Sequence, residues 1–197
     1  YARPVKMGQF LSGTHTLRVK NNGTIEVDYE FRADAGTTGH LLEAGLALLA
    51  PPAATEFRWI GAGPYAGYPG KEALNEFGIF HLTRDDLHFQ GNRRRVELAA
   101  LTRPIGEGLA IISPNPTNVA VEKENDGTVL SHNALLSGLG NKGVGPETSV
   151  AAESSRIAGH FTVVPLTSTW PAALTRWLGP PTATVNAFNP FYHSYDQ

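Results

Sequence analysis

The chain of 197 residues has the length of one domain and is too short for a catalytic barrel of about 250 residues. An apolar share of 41%, a charged share of 17% and a net charge of −2 exclude a disordered chain and argue against a nucleic-acid partner. The chain has no cysteine, which excludes disulfides and cysteine-ligated zinc, and no apolar run of about 18 residues that would cross a membrane.

Short alternating segments in the first part of the chain predict β-strands. Residues 14–33 predict a hairpin, because Asn22-Gly23, the pair typical of a type I′ turn, separates two alternating runs. Residues 40–50 fit either a helix or a half-buried strand, and the neighbouring pattern favours the strand. The residues expected on its buried face are Leu42, Ala44, Leu46 and Leu48.

The rest of the first 166 residues continues this pattern of strands and turns. Residues 61–70 form a loop with four glycines and two prolines, residues 114–116 break a strand, residues 125–127 turn, and residues 138–145 form a Gly-rich loop. The remaining predicted strands are residues 57–60, 76–81, 96–102, 109–113, 118–121 and 158–165. Strands at this spacing predict an antiparallel sandwich or barrel.

The last part of the chain differs in composition. Residues 171–178 predict a short helix that begins with Pro171 and ends before Gly179. The aromatic residues of the tail that follows need a surface to pack on. We therefore divide the chain into a β-sandwich domain, residues 1–166, and a C-terminal extension, residues 167–197, which packs on that domain or on a partner.

Residue spacing alone predicts no catalytic site. The seven histidines show no metal-ligand spacing, and no pair of carboxylates stands out as an acid and a base, so we expect no metal, no cofactor and no catalytic residue. The run Arg93-Arg94-Arg95 is expected to begin a solvated strand, or to pair with Asp85, Asp86 and Glu97. A polar clamp at a domain interface is the alternative.

One segment has a more specific signature. Residues 57–70, FRWIGAGPYAGYPG, resemble the W-x-G-x-G-P-x-x-N-Y-P-D stretch in the C-terminal domain, or small chain, of glycoside hydrolase family 2 β-galactosidases. The segment that ends in Gly91-Asn92-Arg93 is similar to the E-N-G-x-R of that family, and residues 136–146 are similar to one of its Gly-rich loops. The chain departs from the family pattern at Gly67 and Gly70, and Gly145 stands where some members have a sugar-contacting tryptophan.

The resemblance implies a galactose-mutarotase-like fold, an all-β antiparallel supersandwich. It implies an accessory domain or subunit of a β-galactosidase-like glycoside hydrolase, which buttresses a separate catalytic barrel and lines the sugar pocket. The catalytic glutamates lie in that barrel, so this chain alone lacks them. The expected partners are the barrel and a galactoside-like carbohydrate, with no nucleic acid and no membrane. The residues expected to bind substrate are Trp59, Tyr65, Tyr68, Asn92 and Arg93.

Two other functions remain open. The chain could be a stand-alone carbohydrate-binding module that uses Trp59, Tyr65 and Tyr68, although core packing is the competing interpretation of Trp59. It could also be an epimerase of the mutarotase type, which would need a glutamate base and a histidine acid that the pattern does not identify. The compartment is open, with a periplasmic or secreted protein preferred to a cytoplasmic one.

Overall fold

The computed structural model describes residues 11–83, 86, 91–124, 126–138, 150–151 and 155–167. Within these ranges the chain forms eleven strands and no α-helix, and no helix there could span a membrane. The strands are β1 (Leu11–Val19), β2 (Ile25–Ala33), β3 (His40–Leu41), β4 (Glu43–Ala50), β5 (Glu56–Gly63), β6 (Glu76–Thr83), β7 (Asn92–Thr102), β8 (Gly108–Glu124), β9 (Gly127–Leu136), β10 (Val150–Ala151) and β11 (Arg156–Leu166). The helix predicted at 171–178, the aromatic tail and most of the predicted Gly-rich loop, including Gly145, lie outside the described residues.

Nine of these strands form one branched antiparallel sheet. Seven follow the order β1-β2-β11-β8-β7-β5-β6, while β9 pairs with β8 and β4 pairs with β9. Strands β3 and β10 pair with each other in a separate two-stranded sheet. The branch brings β9 over β2, where the Tyr29 hydroxyl contacts the His132 ring at 2.9 Å. The expectation of an antiparallel all-β sandwich is confirmed, with Phe57, Trp59 and Phe161 among the largest buried side chains.

The predicted hairpin is confirmed, but its turn is of another kind. A type I′ turn needs positive φ at both central residues. Here Gly23 has a positive φ of 81, but Asn22 has a negative φ, because Arg95 is the one non-glycine with positive φ among the described residues. The Gly23 N–H donates to the Lys20 carbonyl at 2.9 Å, and the Lys20 N–H donates to the Thr24 carbonyl at 2.8 Å. The loop therefore has three residues and ends in a left-handed glycine.

The strand predicted at 40–50 is confirmed with one interruption. The chain bends at Leu42, between β3 and β4, and the Leu42 side chain is 50% exposed. The expectation that Leu42 faces the core is therefore wrong. Ala44 is buried in the main core, and Leu46 and Leu48 pack against it, as predicted.

The break predicted at residues 114–116 is wrong, because β8 runs through both prolines. Pairing of β8 with β11 ends at Ile112, and pairing with β9 begins at Asn118. Proline has no N–H to donate to a ladder. Pro114 and Pro116 fall between the two ladders, where the strand exchanges one partner for the other.

Strand β9 was not predicted. Its centre is Ser131, His132 and Asn133, which interrupt the alternation that signals a half-buried strand. His132 and Asn133 are nevertheless buried. Their polar atoms find hydrogen-bond partners on other strands, which the local sequence does not reveal.

Candidate functional site

The loop that the sequence singled out begins three residues later than predicted. Gly61, Ala62 and Gly63 continue β5, and the chain leaves the strand through a cis peptide bond between Gly63 and Pro64. The loop is therefore residues 64–70, which we call the 64–70 loop. Gly61 lies close to β7, because a Cβ there would come within 2.9 Å of the Val96 Cα.

Two asparagines hold the 64–70 loop. The Asn92 side-chain amide donates to the Gly67 carbonyl at 2.8 Å, and the Gly67 N–H donates to the Asn92 carbonyl at 2.9 Å. On the other side, the Asn75 Oδ1 accepts from the Tyr65 N–H at 3.0 Å. Asn92 is fully buried. The Asn92 side chain, at the start of β7, therefore positions the loop from its buried side.

The three aromatic residues predicted to contact sugar have different environments. Trp59 is 0% exposed, stacks on Phe57 at 4.9 Å between ring centroids, and donates from its indole N–H to the Ala62 carbonyl at 2.9 Å. Core packing, the competing interpretation of Trp59, is what the structure shows. Tyr68 is 4% exposed. Tyr65 is partly exposed, so it is the aromatic residue of this set that solvent reaches.

The arginine run is divided by a β-bulge. Pairing between β7 and β8 shifts between Arg93 and Val96, and Arg95 has a left-handed φ of 53. Arg93 is therefore buried, with its guanidinium 5.0 Å from the centre of the Trp59 ring, while Arg95 is exposed. The stacking of an arginine on tryptophan adds a favourable electrostatic contact.

Arg94 has a partner that was not among the carboxylates expected for the arginine run. Arg94 pairs with Glu72. Asp86 instead accepts hydrogen bonds from the Thr83 N–H at 3.0 Å and the Thr83 hydroxyl at 2.7 Å. The five predicted site residues thus lie around one loop, with Trp59, Tyr68, Asn92 and Arg93 buried beneath or within it and Tyr65 partly open.

A second polar group, absent from the sequence analysis, lies on β4, β8 and β9. The Asn133 amide donates to the Glu43 carboxylate at 2.7 Å. Burial, and after it the charge of Glu122, raise the pKa of Glu43 to about 7, although the Asn133 hydrogen bond acts in the opposite direction. A carboxyl group of this kind changes charge near neutral pH. Sequence reasoning missed it because Glu43 and Asn133 are 90 positions apart.

The raised pKa of Glu43 predicts that the substitution Glu43→Gln stabilises the folded protein above pH 7. As the pH rises from about 4.5 through 7, the unfolded chain releases a proton that the folded chain keeps, so wild-type stability falls over that window. Since Glu43 is only partly buried, we expect the glutamine variant to gain about 1–2 kcal/mol at pH 8 and nothing at pH 4. Urea unfolding at both pH values measures this. Glu76→Gln, at an exposed position of β6, is the control, and an equal gain in both variants would contradict the prediction.

A third polar group joins the two layers of the sandwich. The Tyr29 hydroxyl donates to the His132 carbonyl at 2.9 Å and contacts His132 Nδ1, while Nε2 lies 3.2 Å from the Ser113 hydroxyl. The ring stacks on Phe161 at 4.6 Å. Burial lowers the pKa of His132 to about 4, so the ring is neutral at pH 7. The contacts fit a neutral ring with its proton on Nδ1, which donates to Tyr29 while Nε2 accepts from Ser113.

The outer face of β1, β2 and β11 carries a shallow groove of about 430 Å³. Asp28 and Glu30 line it, with Arg156 and His160 opposite them. These charges are paired, Asp28 with His160 at 2.7 Å and Glu30 with Arg156 at 2.7 Å. Among the described residues no three histidine, aspartate or glutamate side chains come close enough to hold a metal ion.

Comparison with known proteins relates the chain to one family. The β-galactosidase small chain family matches residues 2–156. The chain is also similar to a protein of Staphylococcus xylosus named "Beta-galactosidase", with 25% identity over 163 residues. That match covers 72% of this chain but only 16% of the Staphylococcus protein, so the chain spans less than a fifth of its length.

Proposed function

Because this chain belongs to the β-galactosidase small chain family, we propose that it is the accessory β-sandwich part of a β-galactosidase and supports the catalytic barrel of that enzyme. The family match over residues 2–156 carries the proposal. The small share of the Staphylococcus protein that the chain covers supports it, since most of that β-galactosidase lies outside the matched region.

The 64–70 loop is the part of this chain that we propose lies at the rim of the sugar pocket. Contacts on both sides hold it, from Asn75 and from Asn92, so the backbone around Tyr65 is well positioned. Tyrosine offers a flat apolar face to a pyranose ring and a hydroxyl to its oxygens. In this proposal Tyr65 contacts the galactoside, and the buried Trp59, Tyr68, Asn92 and Arg93 set the shape of the loop.

Burial of Trp59 and Tyr68 weighs against the stand-alone carbohydrate-binding module, since neither ring offers a free face to a sugar. One partly exposed tyrosine on a loop makes a small contact, and tight binding of a small ligand needs a concave site that covers most of it. We therefore expect weak galactoside binding by the isolated chain. Submillimolar affinity, measured by titration with Trp fluorescence, would favour the module instead.

The test compares enzymes assembled from the remainder of the β-galactosidase and variants of this chain. We expect Tyr65→Ala to lower kcat/KM for an aryl β-galactoside by about 1–3 kcal/mol, because a buried aromatic contact to the sugar is lost. Tyr65→Phe separates the ring from the hydroxyl. Phe77→Ala, at an exposed position of β6, is the matched control and should leave kcat/KM unchanged.

Two results would contradict parts of this proposal. Unchanged kcat/KM in the Tyr65→Ala enzyme would make the 64–70 loop a structural connector. Turnover by the purified chain alone, abolished by changing one of its own carboxylates, would show that the chain carries its own catalytic site. The first result would leave the accessory role of the chain intact, whereas the second would contradict it.

A further inference from the structure

Strand β1 lies at one edge of the nine-stranded sheet and is exposed along its whole length. All nine residues are exposed, and two of its apolar side chains are largely open, Leu17 at 56% and Val19 at 72%. An edge strand presents a row of unpaired backbone N–H and carbonyl groups. A long, exposed and partly apolar edge of this kind is a template for pairing with a further strand.

The exposed apolar side chains of β1 lie on the core side of the sheet. Leu17 pairs with Val27, and Val19 pairs with Ile25. Directly paired residues of antiparallel strands share a face. Val27 is fully buried in the main core, and Ile25 packs against that core. Leu11, Leu17 and Val19 therefore extend the apolar core face of the sheet onto β1, where no described strand covers them.

We propose that β1 is a docking edge for an extended strand supplied by the rest of the β-galactosidase. This inference rests on the proposed function, and the length outside the matched region supports it: the match covers 16% of the Staphylococcus β-galactosidase, so ample polypeptide is present to supply a strand. Backbone hydrogen bonds give such pairing its affinity, and alternate side chains give it specificity.

The residues of β1 define the kind of strand that fits. On the core side it carries apolar residues that cover Leu17 and Val19. On the other side it is neutral or acidic, because the alternation of the strand places Arg18 and Lys20 on that face and residues 11–20 contain no carboxylate. Arg18 and Lys20 already pair with Asp28 and Glu26, yet their side chains are still about half exposed.

The same charge pattern disfavours a second copy of this chain as the occupant. An antiparallel pair of β1 strands would bring together two segments that carry basic residues and no acid. Like charges on facing strands destabilise a sheet. A strand from another part of the enzyme has no such restriction.

Single cysteines test the proposal cleanly, because the chain has none of its own. Val19→Cys reports on β1, and Ile105→Cys, 60% exposed at the turn between β7 and β8, is the matched control. Each variant is labelled with a maleimide, first alone and then assembled with the remainder of the enzyme expressed as a second polypeptide. We expect assembly to slow labelling of Val19→Cys at least roughly tenfold relative to the control.

A charge-bearing variant gives a second measurement. The double variant Leu17→Lys with Val19→Lys should fold, since both side chains are exposed, and circular dichroism checks that it does. We expect it to lose co-purification with the remainder of the enzyme, whereas Ile105→Lys keeps it. Retained co-purification by the double variant would overturn the proposal.

The labelling results distinguish the possible occupants. Protection of Val19→Cys in the isolated chain that grows with concentration would identify a second copy. Protection at every concentration, relieved by deletion of residues 168–197, would identify the C-terminal segment, and either result would overturn the proposal. If the wild-type chain assembles but Val19→Cys stays as reactive as the control, only this inference fails. If the wild-type chain does not assemble at all, the proposed function fails with it.

Discussion

Replacing Trp59 with alanine should lower the free energy of unfolding by about 3–5 kcal/mol, as expected for a large aromatic side chain removed from a packed core. Trp59 is 0% exposed and packs between Phe57 and Phe80, with ring centroids at 4.9 and 5.2 Å. The variant also loses the indole hydrogen bond to Ala62 and the ring beneath the Arg93 guanidinium. Equilibrium unfolding in urea measures the effect.

A milder variant keeps this prediction testable if the alanine variant does not fold. Trp59→Phe retains an aromatic ring but loses the indole N–H and part of the volume, so we expect a loss of roughly 1–3 kcal/mol. Tyr65→Ala, at a partly exposed position in the neighbouring loop, is the control and should cost far less. A cost below about 1 kcal/mol for Trp59→Ala would show that the ring is not part of the core.

Acid should destabilise the protein through His132 by about 3 kcal/mol between pH 6.5 and pH 4, since each pKa unit corresponds to about 1.4 kcal/mol. Burial lowers the pKa of His132 from 6.5 to about 4. As the pH falls through this window, His132 binds a proton in the unfolded chain but stays neutral in the folded chain. The contribution is therefore fully present above pH 6.5 and lost as the pH approaches 4.

Two variants isolate the contribution of His132 from that of the carboxylates. In His132→Gln the proton-binding ring is gone, so the difference in free energy of unfolding from wild type should shrink as the pH falls from 7 to 4.5. Ser113→Ala removes the hydroxyl near Nε2 but keeps the ring, so it should retain the acid sensitivity of the wild type. Urea unfolding across this range measures both variants. Parallel curves for wild type and His132→Gln would contradict the prediction.

The polar groups around His132 and Glu43 tie different strands of the sandwich together. Tyr29 and His132 lie on β2 and β9, and their hydrogen bonds hold the branch of the sheet against its main path. Glu43 and Asn133 tie β4 to β9 on the same branch. Opposite pH dependences follow, since His132 favours the folded state at higher pH and Glu43 favours it at lower pH.

Local sequence determined the strands whose signals are short-range. The β1–β2 hairpin follows from Asn22-Gly23 between alternating runs, and β5, β6, β7 and β11 follow from apolar alternation between turn residues. The family resemblance also rests on sequence alone, because the residues of the 57–70 segment occur in order whatever their contacts. Both signals are complete within a few consecutive residues, so no distant partner is needed to read them.

The site was predicted in part. Sequence reasoning named the loop with Trp59, Asn92 and Arg93, and the structure brings these together, with Arg93 over Trp59 and Asn92 bonded to Gly67. It could not tell which aromatic residue stays open to solvent. That depends on the Arg93–Val96 bulge and on the packing of Phe80 against Trp59, both of which involve other segments of the chain.

Tertiary structure alone decided the polar interior, the continuity of β8 and the exposed edge of β1. His132 and Asn133 interrupt the apolar pattern of β9, and hydrogen-bond partners on other strands, up to about 100 positions away, make their burial favourable. Pro114 and Pro116 predict a break in the strand, but the observed pairing shows that β8 continues and exchanges β11 for β9 there. Leu17 and Val19 alternate like core residues, yet they are exposed because no strand of the described chain lies beyond β1 to cover them. A strand pattern specifies which face is apolar, whereas the neighbour that covers that face comes from residues far away in the sequence.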